Sequence, residues 1–243
     1  MSDTQQNRSL TLFATETHDC PYLPDRRARN VVVDPWAPVT NADYGQLLQR
    51  GMRRSGPVIY APGCPACDAC QSLRIPVTAF EPRRRQRRCW RRNADLQAVI
   101  REPRFHQEHF DLYQRYVRTR HPGGGMEDHD PESYMHFLVA PWSDTRFVEW
   151  RCGEQLLAVA VIDRVADGLS AVYTFFEPDE PQRSLGRYAI LWQIDAAQRW
   201  GLSYVYLGYW IAACRTMRYK AEFRPCEVFR GNSWQSLPAG EGT

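Results

Sequence analysis

The chain has 243 residues, 43% hydrophobic and 24% charged, enough to bury a core as one large domain or two small ones, and this excludes a disordered or fibrous protein. No run of about 18 apolar residues occurs, so no membrane span is expected. The net charge of +3 is too mild for a chain that binds polyanions with its whole surface, yet Arg83, Arg84, Arg85, Arg87, Arg88, Arg91 and Arg92 fall within ten residues. Uneven charge of this kind marks a local anionic partner better than the total does.

In chain order, residues 1–18 are polar and expected to fray. The first eight lack the apolar core of a signal peptide, which implies a cytoplasmic protein with reduced thiols. Asn30 to Val33 reads as a short strand, and Asn41 to Arg50 as a helix capped by Asn41 and stopped by Gly51. Val58 to Tyr60 and Leu73 to Val77 read as strands flanking a cysteine loop. The arginine run leads into a helix expected over Asn93 to Ile100, and Pro103 marks a boundary. Phe105 to Arg120 reads as a helix closed by His121-Pro-Gly-Gly-Gly125. Asp130-Pro131 starts another over Glu132 to Val139. Strand-like runs follow at Arg146 to Arg151, Gln155 to Val165 and Leu169 to Phe176. A helix over Leu185 to Trp200 places Tyr188, Leu191, Ile194, Ala197 and Trp200 on one face, with Gly201 as its stop, and Ser203 to Leu207 is the next strand. Three strands, a helix and a strand imply an α/β sheet with a helical crossover.

Two clusters carry chemistry. Cys64-x-x-Cys67-x-x-Cys70 puts three thiols on a tight turn, and a fourth soft ligand would complete a zinc or iron–sulfur site. Cys20 and Cys89 are the candidates, with Cys20 preferred because it lies in a separate polar turn, Asp19-Cys20-Pro21. The plain alternative is a set of reduced structural thiols, since no second Cys-x-x-Cys completes a zinc-ribbon pattern. Cys152, Cys214 and Cys226 read as small buried side chains. In the arginine run, guanidinium pairs with phosphate bidentately at any relevant pH, and Trp90 could stack on a base or sugar. A solvated helix face is the alternative, but seven like charges with few acids nearby repel one another. No helix-turn-helix or aromatic RNP signature accompanies the run, so RNA held by its backbone fits better than DNA read by sequence.

Several strings then carry a resemblance over nearly the whole chain, from about Cys20 to Trp234. They are Cys20-Pro-Tyr22-Leu23, Gly51-Met-Arg53-Arg54-Ser55-Gly56, Tyr60-x-Pro-x-Cys64, Leu73-Arg74-Ile75, Tyr116-x-x-x-Arg120-His121 with Gly125-Met126, Tyr173-Thr174-Phe175-Phe176, Ser184-Leu185-Gly186, and Tyr206-Leu-Gly208-Tyr209-Trp210-Ile211 followed by Cys214, Met217-x-Tyr219-Lys220 and Phe223-x-Pro225. With these the chain resembles the aminoacyl-tRNA–protein transferases, specifically the bacterial aspartate/glutamate leucyltransferases related to eukaryotic arginyltransferases. It departs from the eukaryotic pattern at Leu23 and at Asp68 after Cys67, where that branch has cysteines, and it has Thr216 where lysine is common.

The resemblance implies an α/β fold of the GNAT acyltransferase type (residues 103–243) after an N-terminal α+β region with the cysteine loop and arginine run (residues 1–102). It implies transfer of leucine from Leu-tRNA to the α-amine of proteins beginning with Asp or Glu, which tags them for degradation. The tRNA ester is already activated, so no cofactor is required for transfer. An α-amine of pKa about 7.7–8.0 attacks once positioned, so no strong general base is needed, and no nucleophile–base set stands out. His121 reads as readily as a structural histidine as a functional one. Arg74, Arg120 and Lys220 are the candidate readers of the acceptor carboxylate. Tyr173, Tyr209 and Tyr219 are the candidate catalytic donors, though an aromatic cluster also reads as core. Arg183-Ser-Leu-Gly186-Arg187 resembles the turn that cradles coenzyme A in acetyltransferases, with Tyr188 in place of a small residue, and Arg183 and Arg187 would there hold the tRNA 3′ end. The rival readings are the same transfer from Arg-tRNA, a coenzyme A-dependent acetyltransferase, and a metal-bearing RNA-binding protein without enzymatic activity.

Overall fold

The computed structural model describes residues 9–241; the first eight residues of the stretch expected to fray, and residues 242–243, lie outside the described residues. The first elements are β1 (Leu12–Ala14), β2 (His18–Asp19), β3 (Arg27–Ala28), β4 (Asn30–Val33), α1 (Asn41–Gln49), β5 (Arg53–Ser55), β6 (Val58–Pro62) and β7 (Gln71–Pro76). α2 (Arg84–Arg92), β8 (Gln97–Arg101), α3 (Gln107–Arg120) and α4 (Pro131–Leu138) follow. The chain then forms β9 (Thr145–Cys152), β10 (Gln155–Val165), β11 (Gly168–Phe176), α5 (Leu185–Arg199), β12 (Tyr204–Trp210), β13 (Glu227–Arg230) and β14 (Ser233–Ser236).

An antiparallel sheet of four strands runs β1-β4-β6-β5, and β2 pairs β3 in a short ribbon that carries the Cys20 turn. The large sheet has eight strands in the order β14-β13-β7-β12-β11-β10-β9-β8, and it draws strands from both sides of residue 102. All its neighbours are antiparallel except β11 and β12, which α5 joins as a parallel crossover. That is the crossover expected from the sequence.

The continuous apolar run of β10 follows from burial on both faces. Ala158, Ala160 and Ile162 face the core under α2 and α5, with Trp150, Tyr188 and Trp192. Val159 and Val161 face the core under α3 and α4, with Phe147, Tyr113, Tyr134 and Phe175. A third core lies between α1 and the four-stranded sheet, around Tyr44, Leu48 and Ile59. Arg54 of β5 joins the two sheets: its Nε and Nη2 each lie 2.6 Å from the carboxylate of Asp163 on β10, and both side chains are fully buried.

Four sequence expectations are corrected. Within the stretch expected to fray, Leu12–Ala14 pairs with β4 and His18 with Ala28 of β3. Cys152, read as a buried side chain, is half-buried at the end of β9. The helix expected over Asn93 to Ile100 is displaced: the arginine run itself forms α2, and β8 occupies Gln97–Arg101 by pairing with β9. Asn93 closes α2 instead of opening a helix, because its buried amide donates to the Cys89 and Arg183 carbonyls at 2.9 Å. The cap of α1 is Thr40, whose hydroxyl accepts from Asp43 N at 3.2 Å while the Asp43 carboxylate accepts from Thr40 N at 2.9 Å. Asn41 instead donates to Arg164 O at 3.0 Å. Among the described residues no helix is long and apolar enough to cross a membrane.

Candidate active site

β11 and β12 are paired only from Gly168 to Ser170 against Tyr204 to Tyr206. Beyond that, β11 stays bonded to β10 as far as Phe176, and β12 stays bonded to β7 as far as Trp210. The two strands therefore part into a wedge at their carboxyl ends, where open α/β sheets place ligands. The first turn of α5 lies at the same end. Gly186 permits this approach, since a Cβ there would lie 3.1 Å from the Phe176 ring.

The apex of the wedge is filled by Arg53 of β5. Its Nη1 donates to Tyr206 O at 3.1 Å and to Ser170 Oγ at 3.2 Å, and its Nη2 donates to Ala171 O. The guanidinium thus takes the carbonyls that the parting strands leave without partners. Gly208 makes room for it: the residue has φ 79°, and a Cβ would stand 3.2 Å from Arg53 Nε. Arg53 is 6% exposed, and among the described residues no carboxylate pairs with it.

Lys220 follows β12, in the 3-10 turn Arg218–Glu222, and its Nζ donates to Tyr209 O at 2.7 Å. Burial, and then the Arg53 guanidinium, lower it from the ordinary 10.5 to about 7, while Cys214 acts in the opposite sense. Two neighbouring cations with no acid beside them are costly in a low-dielectric site, which suits a place whose anion arrives with the ligand.

The three candidate tyrosines divide by the state of their hydroxyls. Tyr209 OH is committed to Tyr60 O at 3.0 Å. Among the described residues, Tyr173 OH meets only the weak acceptor Met126 Sδ at 3.9 Å. Tyr219 lies under Arg187, whose Cζ is 5.7 Å from the ring centroid. Burial pushes the phenols of Tyr173 and Tyr219 upward, so both keep their protons to donate at neutral pH. Tyr116 of α3 links them, with its ring 6.4 Å from Tyr173 and its phenol raised to about 12 by burial and then by Tyr219. His121 packs on Tyr116 at 5.8 Å, and burial followed by Arg120 lowers its pKa, which keeps it neutral.

The basic candidates separate in the same way. Arg74 is held by Glu227 at 2.7 Å and sandwiched between Tyr204 and Trp234 at 3.8 and 4.3 Å. Arg120 is exposed at the end of α3, 5.8 Å from the Phe176 ring. Arg183 is gripped by Asp95 through two bonds of 2.8 and 2.9 Å, which hold that carboxyl down at about 2. Arg187 reaches Glu222 at 3.3 Å. The seven arginines of the run are all exposed. Gln86, Cys89 and Asn93 form the buried face of α2, so Arg84, Arg88 and Arg91 project together to solvent.

Cys20, Cys64, Cys67 and Cys70 are brought near one another, and burial and then these neighbours push the Cys70 thiol up to about 12. Four soft donors suit zinc or an iron–sulfur cluster. As placed, however, no three His, Cys, Asp or Glu side chains among the described residues close a ligand cage. The loop stands behind the wedge, with Cys70 acting electrostatically on Tyr209 and Tyr60. Arg53, Tyr60 and Tyr116 are not among the residues singled out from sequence, although each lies inside a quoted motif. Arg53 stands next to Arg54, and only the fold tells the anion-paired one from the unpaired one.

Two family models match in order: arginine-tRNA-protein transferase, N terminus, over residues 18–88, and arginine-tRNA-protein transferase, C terminus, over residues 108–230. The aspartate/glutamate leucyltransferase of Alkalilimnicola ehrlichii is 53% identical over 231 residues, or 95% of this chain and 97% of that protein. The protein of the same description from Nitrosococcus oceani is 51% identical over 230 residues, or 94% and 97%. Among solved structures, L-PGS from Bacillus licheniformis superposes with a TM-score of 0.47 at 10% identity over 64% of this chain and 52% of that one, too loosely to carry an argument. With both halves matched and half-identical relatives over nearly its whole length, the chain belongs to the arginine-tRNA-protein transferase family of aminoacyltransferases.

Proposed function

We propose that the wedge between β11 and β12 transfers leucine from Leu-tRNA to the α-amine of proteins that begin with Asp or Glu, in the cytoplasm where tRNA and such proteins meet. The observation that carries the acceptor half is the pair of cations without an acid, Arg53 and Lys220, beside unspent phenols. The acceptor's side-chain carboxylate supplies the anion, and an uncharged first residue leaves both cations unmatched. Of the three readers expected from sequence, Lys220 takes the role; Arg74 is already paired with Glu227, and Arg120 is exposed at the rim. The donor half rests on the relatives named aspartate/glutamate leucyltransferase.

The neutral α-amine attacks the ester carbonyl of the aminoacyl-tRNA, and the Tyr173 and Tyr219 hydroxyls donate to the oxygen that becomes negative. The C–O bond to the terminal ribose then breaks. The ribose hydroxyl takes up a proton, the attacking nitrogen loses one, and an amide and free tRNA result. Arg187 and the first turn of α5 hold the tRNA 3′ end, with Arg183 as the clamp that fixes that turn to Asp95. The arginines of α2 hold the tRNA backbone. In this reading residues 1–102 supply the tRNA grip, the cysteine loop and Arg53, and residues 103–243 supply the transfer chemistry. The GNAT-type assignment has the strand splay and the crossover helix as its support; an experimental structure with β11 and β12 paired along their whole length would remove it.

The test offers labelled Leu-tRNA or Arg-tRNA with peptides beginning Asp, Glu and Ala. Leucine should pass to the Asp and Glu peptides and not to the Ala peptide. Transfer of arginine alone would change the donor, and no transfer from either tRNA would overturn the reading. We also propose Cys20, Cys64, Cys67 and Cys70 as ligands of a zinc ion or iron–sulfur cluster that braces this loop and takes no part in the transfer. Anaerobically purified protein should then contain zinc or iron in proportion to chain; its absence would leave four structural thiols.

A further inference from the structure

A cavity of about 380 Å³ opens between α2 and α5, outside the wedge, within the size range of small-ligand sites (about 300–1,000 Å³). Leu191 and Ile194 of α5 line it, Trp90 of α2 lines it from the facing helix, and Arg87 and Arg91 belong to the same lining. Trp90 is half-buried and tilted against Tyr188 at 5.5 Å, which fixes the plane of its indole. The two arginines are exposed. Arg87 spends one Nη1 bond on the carbonyl of Pro82, and no acid among the described residues pairs with either. Asp195, also in the lining, accepts at Oδ2 from Arg199 Nε at 2.9 Å, which leaves Oδ1 able to accept from an exocyclic amine.

An apolar slot with a fixed indole, two unmatched guanidinium groups and one carboxylate oxygen is the chemistry that takes a nucleobase and its phosphates together. Arg83 and the four other arginines of α2 continue the same basic surface. We propose that this cavity binds one unpaired nucleotide of the donor tRNA, its base stacked on Trp90 and its phosphates on Arg87 and Arg91. This rests on the tRNA reading above. Ile194 lies nine residues beyond the first residue of α5, roughly 13 Å along the helix. The cavity therefore receives a nucleotide other than the one that carries the amino acid, and it anchors the tRNA while the 3′ end is free to enter and leave the wedge.

The experiment measures tRNA affinity of the full chain at several salt concentrations, with leucine transfer by the wild type as the parallel check on the underlying reading. Trp90→Ala should weaken binding roughly five- to hundredfold with the salt slope unchanged, because stacking releases no counterions, and Trp90→Phe should keep most of the affinity. Arg87→Ala and Arg91→Ala should each reduce the salt slope by about one. Since Trp90 also packs on the core, a second readout uses only the wild type. Donor tRNA with photoreactive bases at unpaired positions should crosslink to the peptides containing Trp90 or Leu191–Asp195. Crosslinks confined to other peptides overturn the proposal, as does full affinity in Trp90→Ala. A Trp90→Ala protein with normal tRNA affinity and a raised KM for the protein acceptor overturns it in favour of an acceptor site. If the wild type transfers leucine while these variants bind tRNA normally, the cavity proposal falls and the transfer reading stands.

Discussion

Replacing Lys220 by methionine should lower kcat/KM for Asp- and Glu-initiated peptides by a hundredfold or more while tRNA binding stays unchanged. The loss follows from removing one partner of a desolvated, hydrogen-bonded ion pair, which costs roughly 2–5 kcal/mol. The pH profile separates this role from a structural one. The free enzyme holds Lys220 near 7, and a bound carboxylate needs its charged form. Above about pH 7 the site must therefore take up a proton on binding, and KM for the acceptor should rise with pH. The acceptor amine works the other way, because its neutral fraction grows up to its own pKa of about 7.7–8.0. Wild-type kcat/KM should accordingly be bell-shaped, and Lys220→Met should lose the alkaline limb and keep the acidic one. An alkaline limb that survives the substitution would assign it to another group. Stability supplies the control. The folded-state pKa of Lys220 lies below the ordinary 10.5, so between about 7 and 10.5 the unfolded chain binds more protons and stability rises with pH. Removing the lysine should flatten that rise and should not lower Tm at neutral pH.

Arg54→Ala should be the most destabilising single change in the two-sheet junction, by about 3–5 kcal/mol, because it leaves a buried carboxylate without its cation. The Asp163 carboxylate receives both nitrogens of Arg54 at 2.6 Å and the Thr145 hydroxyl at 2.7 Å, and Arg54 also donates to the Leu138 carbonyl at 3.0 Å. Arg54→Lys should recover little, since an ammonium cannot span two carboxylate oxygens and a distant carbonyl at once. Replacing Arg54 and Asp163 together by apolar residues should recover most of the loss. Urea midpoints at constant m-value measure all three. Equal stability of Arg54→Ala and wild type would show that the pair contributes nothing.

Those two adjacent arginines show where sequence reading stops. Arg53 and Arg54 stand in one motif, have identical side chains and both end up buried. One is neutralised by Asp163, 109 residues away, and the other is held by neutral groups 117 and 153 residues away. No local pattern separates them. Arg74 errs in the other direction: a motif arginine that reads as an acceptor site is matched by Glu227 across β7 and β13. The helix expected after the arginine run fails for a related reason. Propensity over Asn93 to Ile100 does not register that β9 offers a strand edge to Gln97–Arg101.

The periodic elements β10, β11 and α5 are legible along the chain, because burial on one face or both writes a period into the apolar residues. The arginine run is legible too, because charge density is local, and so is the family, because ordered strings of motif residues are local. The folded arrangement alone parts β11 from β12 beyond Ser170, puts Arg53 at the apex, buries Lys220 against a carbonyl with its pKa lowered, and opens a cavity between α2 and α5. Each depends on which groups from distant segments meet without water, and so on which charges are left unmatched.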